Sequence, residues 1–173
     1  LNAKTKRWDR VINAAAALKQ KGLDCILQLV GDGPDRSALL RQVEMLGLGE
    51  RVQMLGSKRI NAIGDVLADA TLLVHCSQVE GCPNAVMEAM ACGRPVVATD
   101  VGEIPYLVED GKTGFIVPGG DCDVLVTRIS QLINDPCLCR MMGERGRAKA
   151  ENEFRLERLV AESLDAYRSA GWR

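Results

Sequence analysis

Two glutamates eight residues apart, Glu80 and Glu88, bracket the turn Gly81-Cys82-Pro83-Asn84, and no other stretch of the chain is as well equipped for chemistry. Pro83 suits a first helical turn, where its missing N–H costs nothing, and the residues from Ala85 to Ala91 are mostly good helix formers. The spacing therefore predicts a helix that begins near Pro83. Its first turn would leave backbone N–H groups unpaired and carry roughly half a unit of positive charge, a site for a phosphate or a sugar hydroxyl. Glu80 would lie in the loop and Glu88 inside the helix. If the loop doubles back, two carboxylates face one hydroxyl-rich ligand, an arrangement that suits a sugar nucleotide better than a metal. Glutamates near helix N-termini also arise from capping and dipole compensation alone, so the pair has to be read with the rest of the chain.

The elements that must position this loop follow from hydrophobic periodicity. An amphipathic helix is predicted from about Arg7 to Lys21, with Trp8, Val11, Ile12, Ala15 and Leu18 on one face. Strands are predicted at Cys25 to Val30, Val52 to Leu55, Thr71 to His75, Pro95 to Thr99 and Gly114 to Val117. Helices are expected near Asp35 to Met45, Ile60 to Leu67 and Ile104 to Val108, with three more to the C-terminus. Strands that are continuously apolar and β-branched, alternating with helices, imply an α/β domain with a Rossmann-like parallel sheet covered on both faces. Ligands of such sheets bind beyond the C-terminal strand ends. That edge collects Gly31-Asp32-Gly33-Pro34 after the first strand, Gly56-Ser57-Lys58-Arg59 after the second and the Glu80 loop after the third, so all three are expected to face one crevice. GDGPDR lacks the spacing of a dinucleotide fingerprint, and Gly31 and Gly33 read as tight-turn residues.

Composition bounds the alternatives. The 173 residues, 47% of them hydrophobic, suit a single domain over 1–173 with an ample core. A net charge of −1 gives no bulk field for nucleic acid or an anionic membrane, and no apolar run approaches the roughly 20 residues that span a bilayer. The seven cysteines, Cys25, Cys76, Cys82, Cys92, Cys122, Cys137 and Cys139, show no C-x-x-C pair, so reduced thiols in a cytoplasmic setting are expected. Cys137 and Cys139 with the lone His75 lack the usual fourfold zinc pattern. Asp121-Cys122-Asp123 formally matches a metal-binding Asp-x-Asp, but it follows Pro-Gly-Gly and precedes an apolar-periodic run, which makes Asp121 a helix N-cap. Met87, Met90, Met141 and Met142 read as core filler.

E-G-x-P-N at residues 80–84, followed by E-A-M-A-C-G-x-P-V-V-A at 88–98, together with GDGP at 31–34 and the strand Val52 to Gly56, resembles the C-terminal donor-binding domain of the retaining GT-B glycosyltransferases of family four, also called group 1. The resemblance covers nearly the whole chain. It implies that Glu88 hydrogen-bonds the ribose hydroxyls of a nucleotide, that Glu80 contacts the transferred sugar, and that the backbone N–H groups of Gly81, Cys82, Pro83's successor Asn84 and their neighbours hold sugar hydroxyls and diphosphate. Pro83 sets the turn. Lys6 would stabilise charge on the departing phosphate, and Gly56 with Ser57 would pass the base by backbone contacts. No metal or other cofactor is implied, since the nucleotide diphosphate sugar is itself the substrate. Lys4 and Arg7 flank Lys6, and a solvated basic helix start is the competing reading of that segment.

The chain opens with a helix where a doubly wound domain normally opens with a strand. An upstream strand and an N-terminal acceptor-binding domain are therefore expected from the rest of a longer protein, and this part alone is expected to be inactive. A non-catalytic nucleotide-sugar-binding subunit working with a separate acceptor chain, and an epimerase of the same fold, are the alternatives. The resemblance also allows peripheral attachment of the full protein to the cytoplasmic face of a membrane. Two positions depart from the family pattern: Tyr106, where glutamate often follows the proline, and Glu103, where glycine is frequent; Tyr106 is expected to pack near a short helix. Leu156, Leu159, Val160, Leu164 and Tyr167 form an apolar stripe on the last helix, expected to be buried against the missing domain and to leave an exposed patch without it.

Overall fold

Short apolar-rich runs became strands, β-branched chiefly in the last three, and the longer runs between them became helices, in the computed structural model, which describes residues 3–172. The strands are β1 (Leu27–Val30), β2 (Val52–Gly56), β3 (Leu73–His75), β4 (Val96–Thr99) and β5 (Gly114–Val117). The helices are α1 (Ala3–Lys6), α2 (Trp8–Gln20), α3 (Arg36–Met45), α4 (Ile60–Asp69), α5 (Asn84–Ala91), α6 (Ile104–Leu107), α7 (Cys122–Asn134), α8 (Pro136–Glu153) and α9 (Leu156–Ser169). Every predicted strand and helix is present, with ends shifted by a residue or two. The short α1 was not predicted.

All four residues of β4 are buried, and their period-two alternation shows both faces covered. Val96 and Ala98 join Val86, Met90, Ile104 and Leu107, while Val97 joins Val11, Leu18, Phe115, Val126 and Ile129. Helices α5 and α6 thus lie on one face and α2 and α7 on the other, while α8 gives Ala150 to the first cluster and Cys139 and Met142 to the second. A third cluster, with Ile12, Leu29, Leu39, Leu48 and Val52, packs α2 and α3 on β1 and β2.

A single sheet was predicted, and the pairing divides it. β1 pairs with β2, and β3, β4 and β5 pair in that order, every pair parallel. No ladder joins the two groups among the described residues, because none of the described strands pairs with both. What spans them is α2, whose Val11, Ala14 and Leu18 enter one core while Ile12 and Ala15 enter the other.

The apolar stripe of the last helix lies on α9. Val160, Leu164 and Tyr167 are exposed on this chain, while the side chains of Leu156 and Leu159 lie outside the described residues. The patch expected when nothing covers this helix is present. The methionines divide: Met90 and Met142 are fully buried, Met87 is half-buried and Met141 is exposed. Asp121 caps α7 as predicted, accepting the Val124 N–H at 2.9 Å.

Candidate functional site

The chain leaves the C-terminal end of β3 through His75, Cys76 and Ser77 and returns at Glu80 to start α5 at Asn84. The N-cap residue of that helix, Pro83, makes no side-chain cap, and the Val86 N–H turns back to the Pro83 carbonyl at 3.0 Å, which leaves the N–H groups of Asn84 and Ala85 to face a ligand. The loop is seated on the one between β4 and α6. Gly102 has a left-handed backbone (φ 54°), and an added Cβ would lie 2.2 Å from the Glu80 carbonyl oxygen and 2.9 Å from that of Gly81. Only glycine allows this approach. Beside it the Glu103 N–H donates to the Gly81 carbonyl at 3.1 Å. Glu103 therefore supports the loop through its backbone.

The Glu80 carboxylate is fixed through one oxygen. Oε1 accepts from Ser77 Oγ at 2.6 Å, from His75 Nε2 at 3.0 Å and from Lys6 Nζ. The Glu80 side chain is only 9% exposed, whereas that of Lys6 is 42% exposed. Ser77 is held in turn, since its carbonyl accepts from Thr99 Oγ1 on β4 at 2.7 Å. Burial pushes the Glu80 carboxyl toward protonation. The hydrogen bonds from Lys6 and Ser77, with the charge of Lys6, outweigh it and hold the group below the usual glutamate range. An ionised Glu80 only accepts, so a neutral His75 must carry its proton on Nε2.

Burial, followed by the charge of Lys6 acting against that of Glu80, pushes the His75 imidazole below its ordinary 6.5. A group whose folded pKa is depressed contributes stability that is present above the unfolded value and lost as pH falls through the folded one. Folding stability is therefore expected to fall by about 1.4 kcal/mol per pH unit from near pH 6.5 down to the midpoint of His75, and Glu80 is expected to add a second loss below the carboxylate range. Urea denaturation against pH checks this, and His75→Gln should flatten only the upper of the two slopes.

Lys6 reaches Glu80 because the chain turns sharply after α1. Arg7 is the one non-glycine among the described residues with a left-handed backbone (φ 50°), and its guanidinium grips Asp9 through Nε at 2.9 Å and Nη2 at 2.7 Å. Arg7 thus faces Asp9, and Lys6 faces the site. The Thr5 carbonyl accepts the Gln78 N–H at 2.8 Å, tying this corner to the end of β3.

The other sequence-predicted residues take separate places. Glu88 lies a turn into α5, and its carboxylate receives no hydrogen bond or ion pair from the described residues. Cys82 and Asn84 are exposed and Pro83 is buried at the start of the helix. Gly31 and Gly56 meet, the Gly31 N–H donating to the Gly56 carbonyl at 2.8 Å beside a bulge in the β1–β2 ladder. Ser57 follows, exposed. Tyr106 packs against Phe154 with ring centroids 6.5 Å apart and lies under Lys149, as expected of a packing residue.

Residues 2–149 match the family described as Glycosyl transferases group 1. The chain belongs to the group 1 glycosyl transferases. This glycosyl transferase sequence is 36% identical over 164 residues to N-acetyl-alpha-D-glucosaminyl L-malate synthase of Bacillus anthracis, covering 95% of this chain and 42% of that protein. It is 31% identical over 169 residues to alpha-D-kanosaminyltransferase of Streptomyces kanamyceticus, covering 98% of this chain and 44% of the relative. Among solved structures, Anabaena HepE in complex with UDP-glucose superposes with a TM-score of 0.84 at 30% identity, covering 96% of this chain and 46% of the other. Sucrose-phosphate synthase from Thermosynechococcus elongatus gives 0.89 at 27% identity, covering 98% and 43%. The chain thus spans less than half the length of these relatives.

For this glycosyl transferase chain, sequence reasoning missed His75 and Ser77 as partners of Glu80. A signal was present: they are two apart at a strand end, so an extended backbone turns both side chains the same way, toward a returning loop.

Proposed function

We propose that this chain is the donor-binding domain of a retaining, metal-independent glycosyltransferase that moves a sugar from a nucleotide diphosphate sugar to an acceptor hydroxyl. The observation that carries the reading is the contact of Lys6 with Glu80 at the edge of an uncapped α5 N-terminus. It places a mobile cation, a nearly buried carboxylate and free backbone donors side by side. In this reading Lys6 and the backbone N–H groups of Gly81, Cys82 and Asn84 neutralise the leaving diphosphate, which is the charge that grows in the transition state. Glu80 orients hydroxyls of the sugar. Glu88, which pairs with none of the described residues, takes the ribose hydroxyls, and Gly56 with Ser57 meets the base through backbone groups. Positive charge from Lys6 and α5 fills the role a divalent cation would otherwise have.

The acceptor hydroxyl and further catalytic groups belong to an N-terminal acceptor-binding domain, and a strand from the same longer protein would complete the sheet between β1 and β3. The chain alone is then inactive in transfer. No helix among the described residues is long and apolar enough to cross a membrane, which fits a cytoplasmic protein that reaches a membrane face peripherally if at all.

Calorimetric titration with UDP, GDP and ADP, with and without Mg²⁺, tests the reading. One nucleotide is expected to bind without metal, and Glu88→Ala should weaken it about 10- to 100-fold, the worth of charge-assisted hydrogen bonds to two hydroxyls. Because the Glu88 carboxylate pairs with none of the described residues, its loss should leave the melting temperature of the free domain unchanged. Binding that requires Mg²⁺, or none by any of the three, would sink the reading.

A further inference from the structure

Three donors converge on Glu80 Oε1, and they differ in how readily they can leave. Ser77 is 1% exposed, and the His75 side chain at the end of β3 is 12% exposed. Lys6 reaches across on a flexible stem with 42% of its side chain exposed. Oε2 accepts from none of the described residues. The function proposed above sends Lys6 to a diphosphate, and a cation cannot serve Glu80 and a phosphate fully at once. When Lys6 departs, a nearly buried carboxylate loses its only full positive charge, an unfavourable state unless another group supplies one.

We propose that His75 is a positioning residue of the donor site: it keeps Glu80 ionised and in place when Lys6 leaves it for an anionic ligand, and takes up one proton as it does so. The inference rests on the donor-site reading. The charged groups that face the ring are Glu80, from the loop after β3, and Lys6, from α1; β4 contributes the uncharged Thr99 hydroxyl, 3.5 Å from the His75 carbonyl. With Lys6 on Glu80, burial and then the Lys6 charge disfavour the imidazolium against the pull of Glu80. Withdrawal of Lys6 removes a repelling cation and leaves Glu80 un-neutralised, and both changes favour the imidazolium. The proton comes from solvent and binds Nδ1, because Nε2–H already donates to Glu80. The product is an imidazolium–carboxylate pair, with the Lys6 ammonium on the phosphate. Ligand binding and proton uptake are thereby linked, and binding strengthens as pH falls through the midpoint of the liganded form.

His75 is the single histidine of the chain, so one imidazole signal reports on it without assignment by mutagenesis. The experiment is an NMR pH titration of that signal in the free protein, with inorganic pyrophosphate, and with whichever of UDP, GDP or ADP binds, in wild type and Lys6→Met. The midpoint is expected to move to higher pH with either anion. In Lys6→Met it should already be raised without ligand, with little further movement on binding. Calorimetry in buffers of different ionisation heat should find net uptake of up to about one proton per nucleotide between the two midpoints. His75→Gln, whose amide can still donate to Glu80, should bind nucleotide with no proton uptake and a flat pH profile, whereas His75→Ala should lose affinity at every pH. A merely structural histidine would give none of the uptake. A bound nucleotide that leaves the midpoint and the proton count unchanged would overturn the proposal and leave the donor-site reading standing; absence of binding by every nucleotide would overturn both.

Discussion

Gly102→Ala is expected to cost about 2–5 kcal/mol of folding stability and to remove nucleotide binding, the largest effect of any single methyl group near the site. Two costs add. A non-glycine residue at φ 54° carries roughly 1–2 kcal/mol of backbone strain. The new Cβ would also sit 2.2 Å from the Glu80 oxygen, 2.9 Å from the Glu80 carbonyl carbon and 2.9 Å from the Gly81 oxygen. These are backbone atoms, which cannot rotate aside as a flexible side chain would, so relief means lifting the Glu80–Gly81 loop, at roughly another 1–3 kcal/mol. A lifted loop carries Glu80 away from Ser77, His75 and Lys6 and breaks the Glu103–Gly81 hydrogen bond. Urea denaturation and nucleotide titration measure the two effects. Gly49→Ala is the control, because Gly49 has open space around it and an ordinary backbone; it should change stability by no more than about 0.5 kcal/mol. Wild-type stability and affinity in Gly102→Ala would show that the loop does not depend on this close approach.

Lys6→Met in the full-length enzyme is expected to lower kcat/KM about 10²- to 10³-fold, the usual consequence of removing one group aimed at developing charge. The same change should lower folding stability by no more than about 1 kcal/mol. The Lys6 side chain is 42% exposed, so solvent screens its pairing, and Ser77 and His75 go on donating to Glu80. The contrast between the two numbers is the point of the measurement, because a lysine with only a structural role would lose stability and activity together. Equal kcat/KM for variant and wild type would remove Lys6 from the machinery and return the segment to a solvated helix start.

Much of the domain was legible from residues near one another in the chain. Val96 to Ala98 could be read as a doubly buried strand because β-branched residues without alternation suit nothing else of that length, and the start of α5 was written in Pro83 and the residues after it. Asp121 was recognisable as a cap because its partner, the Val124 N–H, is three residues away. Each of these is a local event, set by backbone sterics, capping and side-chain period within a turn or a strand. The family, too, was legible in E-G-C-P-N and the run that follows it.

What lay beyond the sequence involves partners far apart along the chain. Lys6 and Glu80 are separated by 74 positions, and no local pattern says that α1 ends where the β3 loop returns. That contact depends on the left-handed turn at Arg7, where the chain holds a conformation its residue type disfavours, steadied by Asp9. The place of Gly102 beneath Glu80, the choice of His75 and Ser77 as partners of one carboxylate oxygen, and the division of the sheet between β1 and β3 are of the same kind. The stripe on α9 shows the converse: its period was readable, but exposure depends on what lies opposite. Sequence alone determined which segments are strands and helices, which loop and helix carry the two glutamates and which family the chain belongs to. Tertiary packing decided which side chains meet, because distances between helices and sheets are set by the shared core and leave no period in the chain.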